Sequence, residues 1–203
     1  VYKRQGNSTI GIFALGYTGF SRTAIRNKYT YACDTNGCAA SASCGGGYSG
    51  SAAGNSTRGI FAIGYASVVT NTRNKYTYAC DTSAGATGAS FASYNQSVAG
   101  NSTRGIFAIG CVPYSVVNNR CKYTYACDTN AAAANASAAS AYGAAAGNST
   151  RGIFSLGYLG GGNYTADRNK YTYACDSNTS ATAASVSAYG GAAVSNGTTG
   201  VNT

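Results

Sequence analysis

Four short apolar runs punctuate the chain. They read Ile-Phe-Ala-Leu, Ile-Phe-Ala-Ile, Ile-Phe-Ala-Ile and Ile-Phe-Ser-Leu, begin at Ile12, Ile60, Ile106 and Ile153, and each closes on a glycine. A short apolar stretch between turn residues, such as RGIFAIGY at 58–65, reads as a strand buried on both faces. A second phrase, KYTYACD, begins at Lys28, Lys75, Lys122 and Lys170 and alternates instead. Within 73–81, Asn74, Tyr76, Tyr78 and Cys80 share one face and Lys75, Thr77, Ala79 and Asp81 the other, which is a strand of period two. The segment GASFASYNQSVA (88–99) alternates weakly and ends in Gly-Asn-Ser, a turn signal leading into the next apolar run. A fourth, short strand is expected after Asp81.

Both phrases recur at 46 to 48 residues, and GNSTRGI stands at 54–60, 100–106 and 147–153, with GNSTIGI at 6–12. Such self-similarity marks stacked or radially arranged supersecondary units. The expected units are 6–53, 54–99, 100–146 and 147–195, with a degenerate tail at 196–203, together forming one domain. Four antiparallel strands in about 47 residues is the scale of a β-propeller blade. The expected fold is therefore all-β, with four-stranded antiparallel blades closing a four-bladed ring or forming an arc of a larger one. A β-solenoid is the rival. Small-residue stretches, 39–50 and 138–147, suit the crowded strand nearest an axis, and GNST suits the hairpin leaving it. Ile, Phe and Tyr would fill the space between blades.

A Gly-closed apolar strand (IFALGY), a loop, then Tyr-x-Tyr before an acidic turn (KYTYACDT) resembles a kelch-type propeller repeat over residues 6 to about 195. The chain departs from that pattern where kelch blades carry a double glycine, here Gly16-Tyr17 or Gly64-Tyr65, and in having no Trp. Near-identical kelch-like arrays of this kind occur in bacterial and phage proteins, so the resemblance implies a binding scaffold.

Composition narrows the chemistry. The chain has no Met, His, Trp or Glu, one Pro (Pro113), 28 Gly and 18 Tyr. Ser, Asn and Gly within the Ala-rich stretch 131–146 argue against a helix there. Residues 1–5, Val-Tyr-Lys-Arg-Gln, match no repeat and read as a translated sequencing-transposon end on an environmental gene fragment, outside the fold. The formal charge is +9, and Lys3 and Arg4 in that segment leave +7 elsewhere. No apolar run approaches a membrane span.

General acid–base work would fall to Asp, Lys and Tyr. Asp34, Asp81, Asp128 and Asp176 recur directly after a strand and read as turn formers through Asx hydrogen bonds. No P-loop, nucleophile elbow or dinucleotide fingerprint is present, so no catalytic residue, cofactor or metal site is expected and the protein reads as a non-enzyme. Arg58, Arg104 and Arg151 follow the GNST turns. Repeated about an axis they would form a basic ring, although nucleic acid is not an expected partner. The stretches 18–25, 66–72, 112–119 and 159–167 differ between repeats while joining equivalent strands, so they should emerge on one rim. Arg22, Tyr114, Asn118, Asn163 and Tyr164 are the expected contacts there for a glycan or protein ligand. A purely structural repeat without a ligand is the alternative.

Eight cysteines fall into two sets. Cys33, Cys80, Cys127 and Cys175 are equivalent and read as small buried hydrophobes. Cys111 and Cys121 replace Tyr and Asn within one repeat, at the two ends of one loop, and are expected to pair; Cys38 and Cys44 are a second candidate pair. Such disulfides would imply an oxidising compartment, hence a surface, secreted or virion protein. Asn7, Asn55, Asn101 and Asn148 stand in sequons that a Gly-Asn turn explains without sugar.

Overall fold

A computed structural model describes residues 3–43, 45–195 and 200–202. They form four four-stranded antiparallel sheets, each built from consecutive strands, and contain no helix. Sheet one holds β1 (Lys3–Gly6), β2 (Ile10–Thr18), β3 (Ser21–Thr30) and β4 (Thr35–Ala39). Sheet two holds β5 (Ala52–Gly54), β6 (Arg58–Ala62), β7 (Arg73–Thr77) and β8 (Thr82–Ala86). Sheet three holds β9 (Ser97–Gly100), β10 (Arg104–Val112), β11 (Ser115–Thr124) and β12 (Thr129–Ala133). Sheet four holds β13 (Ala145–Gly147), β14 (Arg151–Gly160), β15 (Asn163–Thr172) and β16 (Ser177–Ala181). A two-stranded sheet of β17 (Ala193–Ser195) and β18 (Gly200–Asn202) follows. Among the described residues each strand pairs only within its own sheet, and the first strand of each later sheet comes from the end of the preceding repeat unit, which excludes the continuous ladder of a solenoid.

The GNST phrase is the hairpin between the first and second strands of a sheet, as its turn residues require. In each copy the Asn side chain accepts hydrogen bonds two and three residues ahead; for Asn55 these come from the Thr57 amide and hydroxyl and the Arg58 amide at 2.9 to 3.0 Å. Its amide end reaches the next sheet: Asn7, Asn55 and Asn101 donate to the carbonyls of Ser56, Ser102 and Ser149 at 3.0 to 3.2 Å. At the other end of the same strands a second chain of bonds runs from sheet to sheet. Asn95 N–H donates to the Ser49 carbonyl, Tyr142 N–H to Asn95 and Gly190 N–H to Tyr142, at 2.7 to 3.2 Å. All four of these residues have φ between 54° and 71°, the left-handed region that turns the chain sharply.

Both faces of the internal sheets are buried, one against the sheet before and one against the sheet after. Ile60, Ala53 and Ala62 of sheet two meet Phe107, Tyr123 and Tyr125 of sheet three; Ile106 and Ala99 meet Phe154, Tyr171 and Tyr173 of sheet four. Fully burying such side chains stabilises the fold by about 1.5–3 kcal/mol each. Arg26, Arg73 and Arg120 are buried in the same junctions, each guanidinium about 4.5 Å from the centre of a phenylalanine ring, Phe61, Phe107 or Phe154, of the following sheet. Burial lowers the Arg120 pKa to about 10.

Several expectations need correction. Residues 3–5 are part of β1 and pair in turn with Ala14, Phe13 and Ile12 of β2, so they complete the first sheet rather than standing outside it. The stretches 39–50, 88–99 and 138–147 are mostly irregular. Apart from Ala39, which closes β4, only their last residues or those just beyond, 52–54, 97–100 and 145–147, are strand, because tight left-handed turns interrupt the rest.

The cysteines also differ. Cys33, Cys80, Cys127 and Cys175 are exposed, since the tight turn between the third and fourth strands carries them past the packed junction. Cys111 and Cys121 are buried free thiols. Their strands form one long hairpin with its tip at Pro113-Tyr114, in which Cys111 pairs with Val116 and Cys121 with Phe107. Four residues therefore separate them along β10, about 13 Å at strand rise, whereas a disulfide needs Cα atoms about 4.4–6.8 Å apart. Cys38 is an exposed free thiol, and Cys44 lies outside the described residues. A thiol reagent on the native protein should therefore modify Cys33, Cys38, Cys80, Cys127 and Cys175 and leave Cys111 and Cys121 until the chain is unfolded. Peptide mapping by mass spectrometry checks this, and a recovered Cys111–Cys121 cross-linked peptide would refute it.

Candidate functional site

Tyrosines gather at the end of the sheets opposite the GNST turns. The second strand of each sheet, or in sheet two the segment just beyond it, delivers one residue there after a closing glycine: Tyr17, Tyr65, Cys111 and Tyr158. The irregular segment entering each first strand delivers another. Tyr48 bridges Tyr65, Tyr94 bridges Cys111 and Ala141 bridges Tyr158 through the backbone. In that last pair the tyrosine has moved one place, to Tyr142. The rings run on from sheet to sheet. Tyr17–Tyr48, Tyr48–Tyr65 and Tyr65–Tyr94 have centroids 5.6, 5.2 and 6.3 Å apart. Cys111 then interrupts the row, its Sγ 3.9 Å from Asn95 Nδ2. Burial pushes the Cys111 thiol and the Tyr94 and Tyr142 hydroxyls above their ordinary pKa values.

Beyond Cys111 four rings close on themselves. Tyr142–Tyr158, Tyr158–Tyr164, Tyr164–Tyr189 and Tyr189–Tyr142 are 6.1, 5.6, 4.8 and 6.1 Å apart, with Tyr164 and Tyr189 stacked at 15°. Tyr142, Tyr164 and Tyr189 remain exposed. Two grooves flank the cluster. One of about 250 Å³ runs past Tyr94, Cys111, Tyr114, Tyr142 and Tyr158; the other, of about 350 Å³, past Tyr142, Thr165, Arg168, Val186 and Tyr189. Flat rings with hydroxyls at their edges can stack on an apolar face and hydrogen-bond its rim.

The sequence-predicted residues fare unevenly. Tyr114 projects from its hairpin tip, 104% exposed, with φ of 73°. Arg22 is exposed and pairs across the hairpin with Tyr17. Tyr164 belongs to the ring cluster, and Asn163 beside it donates to the Gly160 carbonyl at 3.2 Å. Asn118 lies half-buried within β11 and donates to the Ala136 carbonyl at 3.4 Å, holding a connecting segment rather than facing a ligand. Three of the four rim stretches are the ends of long hairpins with two-residue tips, and only the one at 66–72 is a true loop. Tyr48, Tyr65, Tyr94, Tyr142, Tyr158 and Tyr189 were not anticipated as site residues, although the Tyr after each closing glycine was a signal.

The basic ring sits elsewhere. Arg58 and Arg104 lie at the GNST end and donate across a junction to the Tyr125 and Tyr173 carbonyls at 2.7 and 3.2 Å, while Arg151 is exposed. The recurrent Asp residues are also drawn into junctions. Each has φ near 50°, as a turn former would, and takes a hydrogen bond from a tyrosine of its own sheet, Tyr29 for Asp34; the carboxylates of Asp81, Asp128 and Asp176 also serve a lysine of the sheet before. Lys28–Asp81, Lys75–Asp128 and Lys122–Asp176 are ion pairs of 2.5, 2.8 and 2.6 Å. Tyr76, Tyr123 and Tyr171 donate to the same three carboxylates, as do the amides of Ala40, Thr87 and Ala134. Burial raises the carboxylate pKa values, but these hydrogen bonds outweigh it and hold Asp81 and Asp176 at about 2 and Asp128 lower still.

No protein-family model matches the chain and no curated protein matches it. Among solved structures it is similar to the structure of YjhT, with a TM-score of 0.77 at 11% identity over 95% of this chain and 68% of that one. At that identity the likeness speaks to fold alone. Among the described residues no helix is long and apolar enough to cross a membrane, which says nothing of a β-barrel.

Proposed function

We propose that the four sheets are blades of a kelch-like β-propeller array that acts as a non-catalytic binding module and offers its tyrosine-rich end to a glycan. The radial reading is supported by the order of the first strands: β1 stands beside β5, β5 beside β9, β9 beside β13 and β13 beside β17. An arc of a larger ring fits better than a closed ring of four, because β17 rather than β1 stands against β13. The ligand reading is carried by the closed cycle of Tyr142, Tyr158, Tyr164 and Tyr189, partly exposed between two grooves. Exposed aromatic rings of this kind suit the apolar face of a sugar, with Arg22 and Tyr114 at the margin. Such a module belongs on a surface, secreted or virion protein. The disulfides that favoured an oxidising compartment are absent among the described residues, so that placement draws on the binding role alone.

A glycan array probed with the native chain tests this. At least one glycan class should be retained, and Tyr164→Ala and Tyr189→Ala should each weaken it about tenfold without moving the thermal midpoint. A pull-down that yields a protein through the same residues would replace the sugar by a protein ligand. Empty results in both assays would leave the structural repeat, a spacer tied by its two chains of inter-sheet hydrogen bonds.

A further inference from the structure

The junctions follow one rule. The second and third strands of a sheet send cations forward, and the next sheet receives them on its third and fourth strands and the turn between. Lys122 reaches Asp176, and Arg120 reaches the side chains of Asn169 and Asn178 at 3.2 and 2.7 Å. Arg104 reaches the Tyr173 carbonyl.

After sheet four the rule is half met. β17 and β18 stand against β13, and β18 also against β14, as β13 and β14 stand against β9, so they hold the first two strand positions of a fifth sheet. Among the described residues β18 pairs only with β17. Among the described residues the outer half of the forward face of sheet four is correspondingly uncovered. Ile153 is half-buried where Ile12, Ile60 and Ile106 are 0% exposed. Arg151 is exposed where Arg58 and Arg104 bond a carbonyl, and Lys170 has no carboxylate partner among the described residues.

We propose that this face, with the open edge of β18, is a docking site for a β-hairpin of the chain's own third-and-fourth-strand type, carrying Tyr-x-Tyr, an Asp in its turn and an Asn two residues on. Its first strand adds to β18 by main-chain hydrogen bonds, the mode of β-augmentation. Its Asp takes Lys170, its second Tyr carbonyl takes Arg151, and its rings cover Ile153. Charge selects this occupant: the face presents Lys170 and Arg151, and the hairpin turn presents a carboxylate. The inference rests on the periodicity of the junctions and stands apart from the glycan reading.

The test titrates a peptide copying residues 168–181, under reducing conditions, into the intact chain. One saturable site is expected, with added hydrogen-exchange protection at β18. A D176K version of the peptide should bind at least tenfold more weakly, and the K170E chain should recover it while losing affinity for the native peptide. Binding no better than that of a scrambled peptide would overturn the proposal. So would a native-peptide affinity that K170E leaves unchanged.

Discussion

Alanine at Gly110 lowers the unfolding midpoint by about 10 °C, while alanine at Gly85 leaves it within about 2 °C. Gly110 has φ of 77°, and a Cβ there would lie 2.6 Å from the carbonyl oxygens of both Tyr94 and Asn95. It sits at the bulge between Ala108 and Gly110, where β10 bends toward the tyrosine end. Left-handed backbone costs a non-glycine residue about 1–2 kcal/mol, and forcing two carbonyls aside adds about 1–3 kcal/mol. Those carbonyls are not free to move: the Asn95 carbonyl accepts the Tyr142 amide, and the Tyr94 carbonyl accepts the Cys111 amide. Gly85 is the control because a Cβ there meets nothing within 4 Å. Differential scanning calorimetry on both variants decides it, and equal midpoints would show that the inter-sheet chain at this end yields at little cost.

Acid should loosen the junctions between about pH 4 and pH 2. Asp81 and Asp176 hold pKa values of about 2 in the folded chain, and Asp128 is lower. An unfolded Asp titrates near 3.9. A depressed folded value means that the unfolded chain binds more protons, so the stabilisation is whole above about pH 4 and is lost as the pH falls through the folded value. Each ion pair is about a third exposed. Solvent screening then reduces the contribution to about 1 kcal/mol per junction, and three junctions to about 3 kcal/mol. Urea midpoints at pH 7 and pH 2.5 measure it. Asp128→Asn should lose part of the stability at pH 7, through Lys75, and flatten the pH dependence. A midpoint constant across that range would remove the role given to the carboxylates.

Much of the architecture was legible because one phrase is written four times. The apolar runs at Ile12, Ile60, Ile106 and Ile153 became second strands, KYTYACD became the third strand and its turn, and GNST became the first hairpin. The site was less legible. Tyr114, Tyr164 and Arg22 were singled out as expected contacts because they lie in segments that differ between repeats. The ring cluster was missed because Tyr158 comes from a strand, Tyr142 and Tyr189 from two separate connecting segments, and only packing brings them together. The burial of Arg26, Arg73 and Arg120 was not legible either. Period-two alternation separates two faces but does not say that both will be covered by neighbouring sheets.

Local chemistry alone settled the strands, the Asn-Ser-Thr turns and the repeat, since hydrogen bonding within about three residues and side-chain alternation are fixed by the chain itself. The tertiary structure decided where the carboxylates, guanidinium groups and thiols ended up. Asp128 meets Lys75 across 53 residues, Arg120 meets Asn178 across 58, and Cys111 is held away from Cys121 by strand register. Those outcomes depend on which sheet packs against which, a global arrangement of buried surface that no short stretch of sequence encodes.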